Sequence, residues 1–254
     1  MRTLAVIPAR LGATRLPRKP LRLLAGLPLV VRVWQRVQQL RLAERCVIAT
    51  ESQEVVQVAR QAGAEVELTD VSHPSGTDRV AEVAARPAYK AFDAILNVQG
   101  DEPFVSAAAL RGAADVVTAG RFELGTAAAR APHDALGVPH VVKVVADDAG
   151  RAMYFSRAPI PFLRDADDRA LLDAHVWQHI GVYAYTREAL ARWVALPPHP
   201  LERIERLEQL RPLAAGMAMG VAMIPDPPHA GVDTEEDLAR ANEEWPSLAG
   251  ADDT

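Results

Sequence analysis

Cysteine is almost missing from this 254-residue chain, where Cys46 is the only one. That excludes an intrachain disulfide and any zinc cluster built on several thiolates, and Cys46, opening Cys-Val-Ile-Ala-Thr, reads as a small buried residue. Lysine is nearly as scarce, with Lys19, Lys90 and Lys143 against twenty-five arginines. Such a bias makes arginine number a poor argument and leaves position to decide. Long apolar runs are absent too. None approaches the roughly 20 residues of a membrane span, although 49% of the chain is hydrophobic. No charged leader with an apolar segment and cleavage site precedes the first strand, so a cytoplasmic protein without a membrane partner is expected. The first strand-to-helix turn lacks Gly-x-Gly-x-x-Gly, which argues against a dinucleotide oxidoreductase. No aromatic platform accompanies the basic stretch, which argues against nucleic acid. Neither a serine triad nor an activated cysteine is recognisable.

What is present is concentrated early. An apolar strand, Thr3–Pro8, runs into Ala-Arg-Leu-Gly-Ala-Thr-Arg-Leu-Pro-Arg-Lys-Pro, with Arg10, Arg15, Arg18 and Lys19 close together. Residues 1–45 hold ten basic residues and a single acid, Glu44, although the whole chain carries net charge −5. Exposed backbone N–H groups in such a loop form a concavity for anionic oxygens, and guanidinium forks grip phosphate bidentately. The loop is therefore read as a polyphosphate site. Arg32, Arg36 and Arg41, on the following helix, read as a solvated face.

Short apolar runs at Leu4–Pro8, Cys46–Ala49, Val66–Leu68 and Ala94–Val98 do not alternate with polar residues, as expected of strands buried on both sides. Helical patterns lie between and after them, at Leu29–Leu40, Glu54–Gln61, Asp78–Ala85 and Ala107–Thr118. This alternation predicts an α/β fold, a doubly wound, three-layer and mostly parallel sheet. Ligands gather beyond the carboxyl ends of such strands. The second half reads differently. Val141–Ala146 and Arg151–Ser156 predict an antiparallel hairpin or subdomain inserted in that body. His175–Tyr185 reads as a strand, Leu201–Leu213 as an amphipathic helix, Met217–Ile224 as a strand and Glu235–Asn242 as a helix. Residues 247–254 are expected to be a flexible tail.

Two carboxylates follow glycines. Asp101, in Gln99-Gly100-Asp101-Glu102-Pro103, is either a Mg²⁺ ligand at a strand end or the hinge of a simple turn. Asp233, in Gly231-Val232-Asp233-Thr234, is either a second ligand or part of a helix cap. Together, beside a basic loop, they favour a metal–nucleotide site. Ser75-Gly76-Thr77-Asp78-Arg79 offers donors for a base edge, or plain capping by Ser75 or Thr77. In the strand from His175, Ile180, Val182 and Ala184 form the core face. Trp177, His179, Gly181, Tyr183 and Tyr185 form the other, suited either to a hydroxylated ligand or to packing on the hairpin. The apolar stripe 201, 204, 207 and 210 leaves Glu208 and Gln209 beside it.

These segments, in order and spacing from Thr3 to Ala241, closely resemble the 3-deoxy-manno-octulosonate (Kdo) cytidylyltransferases. The resemblance is carried by Ile7-Pro-Ala-Arg10, Thr14–Pro20, Ser75–Arg79, Asn97–Pro103, Val142–Val145, Tyr154–Arg157, His179-x-Gly-x-Tyr183, Leu207–Arg211 and Gly231–Thr234. It implies a Rossmann-like nucleotidyltransferase fold over 1–254, with residues 140–185 an inserted strand region lining the sugar site and serving a homodimer. It further implies that Arg10, Arg15 and Lys19 hold the CTP phosphates, with Ala9 and Thr14 nearby. Ser75, Gly76 and Arg79 would lie at the cytosine end, and Asp101 and Asp233 would ligate Mg²⁺. Gln99, Arg157, His179, Tyr183, Glu208 and Gln209 would receive Kdo, with Arg157 facing its carboxylate. The implied reaction is CTP plus Kdo giving CMP-Kdo and pyrophosphate for lipopolysaccharide synthesis, with Arg10, Arg15, Lys19 and Asp101 as its catalytic groups. A related acidic sugar (8-amino-Kdo or a sialic acid) and a noncatalytic nucleotide-sugar sensor remain as alternatives. Arg18 stands where the family usually has glycine.

Overall fold

The computed structural model describes residues 1–12, 15–131, 133–225, 229 and 231–248. The chain divides into two compact units, Met1–Ala107 with His229–Thr254, and Ala108–Pro228. In the first, β1 (Thr3–Ala9) is followed by the small hairpin β2 (Leu23–Leu24) and β3 (Leu27–Pro28) and by α1 (Leu29–Leu40). Next come β4 (Arg45–Thr50), α2 (Gln53–Gln61), β5 (Glu65–Leu68), α3 (Gly76–Ala85) and β6 (Ala94–Asn97). The strands lie in the order β6–β1–β4–β5, all parallel. With a neighbour on each side, β1 buries Leu4, Ala5, Val6 and Ile7 completely, the reason its sequence is an unbroken apolar run. On α1, Val30, Val33 and Val37 are buried at helical spacing. The Ser52 hydroxyl accepts from the Val55 N–H and starts α2.

The second unit begins with α4 (Ala107–Thr118) and β7 (Leu124–Arg130), then the hairpin β8 (Lys143–Ala146) and β9 (Ala152–Ser156). It continues through α5 (Arg169–His175), β10 (Trp177–Thr186), α6 (Arg187–Ala195), α7 (Pro200–Glu205), α8 (Leu210–Ala214) and β11 (Met219–Ile224). The chain then returns to the first unit as α9 (Glu235–Leu248). β7 runs parallel to β11 and antiparallel to β10, and the β8–β9 hairpin hangs antiparallel on β10. The expected class, α/β with a mostly parallel sheet and an antiparallel insert, is what forms.

Several expectations need correction. The helix expected over Leu201–Leu213 is two short pieces, because Arg206 takes a left-handed φ of 55° between them. Leu207 and Leu210 are buried as read, but Leu201 and Ile204 are 37% and 77% exposed, so the four residues form no single stripe. Glu208 and Gln209 stand in the link between α7 and α8. Residues Arg169–His175 are helical, so the strand begins at Trp177 rather than His175. Tyr185, on the face read as suited either to a hydroxylated ligand or to packing on the hairpin, is fully buried against Trp193 and Tyr183. Helix α9 runs on to Leu248, past Asn242 and into the expected tail, whose residues 249–254 lie outside those described.

Candidate active site

The first unit's site is built by close backbone approach. At Gly100, just after β6, a Cβ would lie 2.7 Å from the Pro8 carbonyl oxygen. Glycine is required there for space rather than for a positive φ. Gly100→Ala should therefore cost about 1–3 kcal/mol through overpacking, read as a lower urea midpoint. A Cβ at Gly231 would meet the Glu102 carboxylate at 2.9 Å, and the Val232 N–H donates to the Asp101 carbonyl at 2.9 Å. These approaches bring Asp101 and Asp233 to one cation. Lys19 Nζ donates to Asp101 Oδ2 at 2.6 Å and to Asp233 Oδ1 at 2.7 Å. Arg15 donates to the other oxygen of Asp233 at 2.9 Å.

The capping alternative for Asp233 is resolved by α9 itself. Thr234 Oγ1 accepts from the Asp237 N–H at 3.1 Å, while Asp237 Oδ2 accepts from the N–H groups of Asp233 and Thr234. This reciprocal cap leaves the Asp233 carboxylate to the cations. Burial opposes the charge of Lys19, but Asp101 and Asp233 together outweigh it and raise its pKa. Burial first, then Asp101 and Asp233, push the Glu102 carboxyl up to about 8. Two carboxylates converging on one positive charge are the hard-oxygen donors that Mg²⁺ takes, with phosphate and water completing the octahedron. Among the described residues no group of three or more His, Cys, Asp or Glu is arranged to hold a metal. The residues thus fit a Mg²⁺ shared with phosphate, not an all-protein cage.

Around this centre the cationic loop is anchored by Leu16. That side chain is fully buried with Leu24, Leu29, Val232, Leu238 and Ala241, fixing the chain between Arg15 and Lys19. Arg10 is exposed and pairs with no described residue. Arg18, at φ 59°, occupies the left-handed region that glycine favours and pairs with Glu54. Ala9 closes β1 with its methyl buried, and Thr14 lies outside the described residues. The Ser75 hydroxyl caps α3, accepting from the Asp78 N–H and donating to its carboxylate at 2.7 Å. Gly76 begins α3 beside Pro8, and among the described residues the Gln99 side chain reaches only Asn97, at 3.5 Å. Arg79 is buried, its guanidinium engaged by Glu51 at 3.0 Å, by Thr69 and by the Asp70 carbonyl. The other oxygen of Glu51 accepts from the Leu11 N–H at 2.9 Å. Glu51, which sequence reasoning passed over, therefore ties the loop after Arg10 to Arg79. Its only signal is its place at the carboxyl end of β4.

Others of the expected residues, Arg157, His179, Tyr183, Glu208 and Gln209, lie in the second unit. Arg157 is held by three carbonyls: Nε donates to Glu205 at 2.7 Å, and the terminal nitrogens to Pro139 at 3.1 Å and Arg206 at 3.4 Å. The Glu205 carboxylate accepts instead from the Arg157 N–H and the Ser156 hydroxyl. No described carboxylate neutralises that guanidinium. Lys143, wholly buried, donates to the carbonyls of Val138, Val141 and Arg157 at 3.1, 2.7 and 2.6 Å. The Tyr183 hydroxyl donates to Gln209 Oε1 at 3.2 Å. Gln209 is buried, and its Nε2 donor has no partner among the described residues. The His179 ring lies edge-on to Phe155 and 5.5 Å from the Tyr183 ring.

Burial depresses His179 from 6.5 to about 3. The unfolded chain takes up this proton near pH 6.5 and the folded chain only near 3, so stability falls as pH drops through that window. The slope is at most about 1.4 kcal/mol per pH unit. Urea melts should show a smaller loss between about pH 7 and about pH 5 in His179→Gln than in the wild type.

The family model described as cytidylyltransferase matches residues 4–219. A 3-deoxy-manno-octulosonate cytidylyltransferase of Gemmatimonas aurantiaca is 61% identical over 251 residues, 99% of this chain and 97% of that one. One from Stenotrophomonas maltophilia is 44% identical over 96% of each chain. Among solved structures, a CMP:2-keto-3-deoxy-manno-octonic acid synthetase in complex with CTP superposes with a TM-score of 0.86 at 32% identity. It covers 97% of this chain and 99% of its own.

Proposed function

The chain belongs to the cytidylyltransferase family, and on that footing we propose that it converts CTP and Kdo to CMP-Kdo and pyrophosphate. The observation that carries this reading is the meeting of Asp101 and Asp233 on Lys19, with Arg15 on the second oxygen of Asp233. Kdo's anomeric hydroxyl attacks the α-phosphorus in line as the bond to the pyrophosphate oxygen breaks. No enzyme nucleophile is needed, so catalysis rests on positioning and charge. Mg²⁺, held by Asp101 and Asp233, would supply neutralisation of the phosphate charge that repels an anionic sugar. Arg10, Arg15 and Lys19 bind phosphate oxygens and stabilise charge developing on the leaving group. Ala9, Thr14, Ser75, Gly76 and Arg79 complete the CTP site.

Arg157, unneutralised by any described carboxylate, takes the carboxylate of the sugar acid. His179, Tyr183, Glu208, Gln209 and Gln99 take its hydroxyls, a role that suits the Gln209 Nε2 donor, which has no partner among the described residues. Exposed Met153 and Phe162, at 66% and 83%, supply apolar surface for a second copy of the chain. No described helix is long and apolar enough to cross a membrane, and we take the cytoplasm as the place of action. The test is pyrophosphate release from CTP and Mg²⁺ with Kdo, 8-amino-Kdo or N-acetylneuraminate offered separately. Release with Kdo, lost on adding EDTA, is expected. Preference for another sugar would overturn the assignment of the second unit's residues. Silence with all three, in folded protein that binds CTP, would favour a sensor.

A further inference from the structure

Four residues of extended strand span about 13 Å, yet the His179 and Tyr183 rings are only 5.5 Å apart. The cause lies in the pairing with β7. Ile180 stands opposite Ala127 and Tyr183 opposite Thr126, so Gly181 and Val182 have no partner and form a two-residue bulge. An insertion of two preserves the alternation of faces. His179 and Tyr183 therefore stay on one side while the chain between them is shortened.

One side chain holds this bulge. Thr126 is fully buried, and its Oγ1 lies 2.7 Å from the Val182 carbonyl, 3.3 Å from that of Ile180 and 2.9 Å from His179 Nε2. A hydroxyl has one proton to give. Given to Val182, the shortest of the three contacts, it leaves a lone pair toward His179, whose Nε2 must then carry the ring proton. Nδ1 becomes a bare acceptor, and no described residue bonds to it. The opposite tautomer would turn the hydroxyl proton to the ring and forfeit the Val182 contact.

We propose that Thr126 is a positioning residue for the sugar side of the site. Its hydroxyl clasps the β10 bulge and locks His179 as the Nε2–H tautomer, presenting Nδ1 to a substrate hydroxyl. This rests on the reading that the second unit's residues receive the sugar acid. Burial keeps the imidazole neutral, the state in which a single tautomer is defined.

The tautomer is read by long-range ¹H–¹⁵N imidazole spectra of the full chain without substrate, the His179 signals being identified by their loss in His179→Gln. The wild type should show protonated Nε2 and bare Nδ1. Thr126→Val keeps the shape and removes the acceptor. It should mix the tautomers and raise KM for Kdo about tenfold, the size of one ordinary hydrogen bond, with KM for CTP unchanged. Thr126→Ser should restore both. An Nδ1–H tautomer in the wild type overturns the proposal whatever the variants do. So does a Thr126→Ser as impaired as Thr126→Val, which would make the residue a packing element. A tautomer that changes in Thr126→Val while KM for Kdo stays put also overturns it. Failure of the wild type to use Kdo at all, with the predicted spectra intact, strikes the function reading and with it the sugar-side role.

Discussion

Asp101→Ala is expected to abolish turnover. Losing one preorganised charge contact typically costs about 10²–10³ in rate, and this carboxylate serves two partners. It is half of the pair that fits Mg²⁺, and it shares Lys19 with Asp233. Stability should change little by comparison. The bond that closes the site structurally is made by the Asp101 backbone carbonyl to the Val232 N–H, which alanine retains. Pyrophosphate release at saturating Mg²⁺, set beside a urea melt of the same variant, separates the two effects. Near-normal activity would defeat the metal assignment. Asp101→Asn, equal in shape, should fail nearly as badly if charge is what counts.

The second large effect belongs to Lys143→Met, which should destabilise the protein by about 3–5 kcal/mol. Methionine matches the volume but strands three carbonyl acceptors around a fully buried position. Each buried acceptor without a donor costs about 1–3 kcal/mol. The three share one donor, so the costs do not add fully. A sharply lower urea midpoint is expected. Because one of those carbonyls belongs to Arg157, KM for the sugar acid should rise more than KM for CTP. An unchanged midpoint would mean that the carbonyls find other partners. Burial already lowers the pKa of this lysine, so its bonds must offset that penalty for the residue to remain charged.

Most of the first unit was legible because its strands are buried on both faces and its helices carry plain apolar spacing. The span Leu29–Leu40 was read to the residue. β7 was missed because Leu-Gly-Thr-Ala-Ala-Ala-Arg has no β-branched or aromatic run, and alanine has low strand preference. Its partners on both edges supply what composition does not. Arg206 was invisible for the opposite reason. A single left-handed residue interrupts a pattern that periodicity alone continues smoothly. Of the side chains that meet in the first unit, Asp101, Asp233 and Lys19 were singled out from motif chemistry. Glu51 and Thr126 were not. An acid after one strand and a threonine within another acquire roles only through contacts to Leu11, Arg79, Val182 and His179 that pairing creates.

The shortage of lysine has a consequence for reagent chemistry. Lys143 is sealed within its ring of carbonyls, and Lys90 lies open at the surface. Lys19, its side chain 15% exposed, is kept as an ammonium by Asp101 and Asp233 despite burial. Acylation consumes the neutral amine. A mild amine-directed label would therefore mark the chain at Lys90 and at the N-terminus, and would reach Lys19 only as those carboxylates are drawn away. The rate of modification at that one position becomes a meter of the charge beside it.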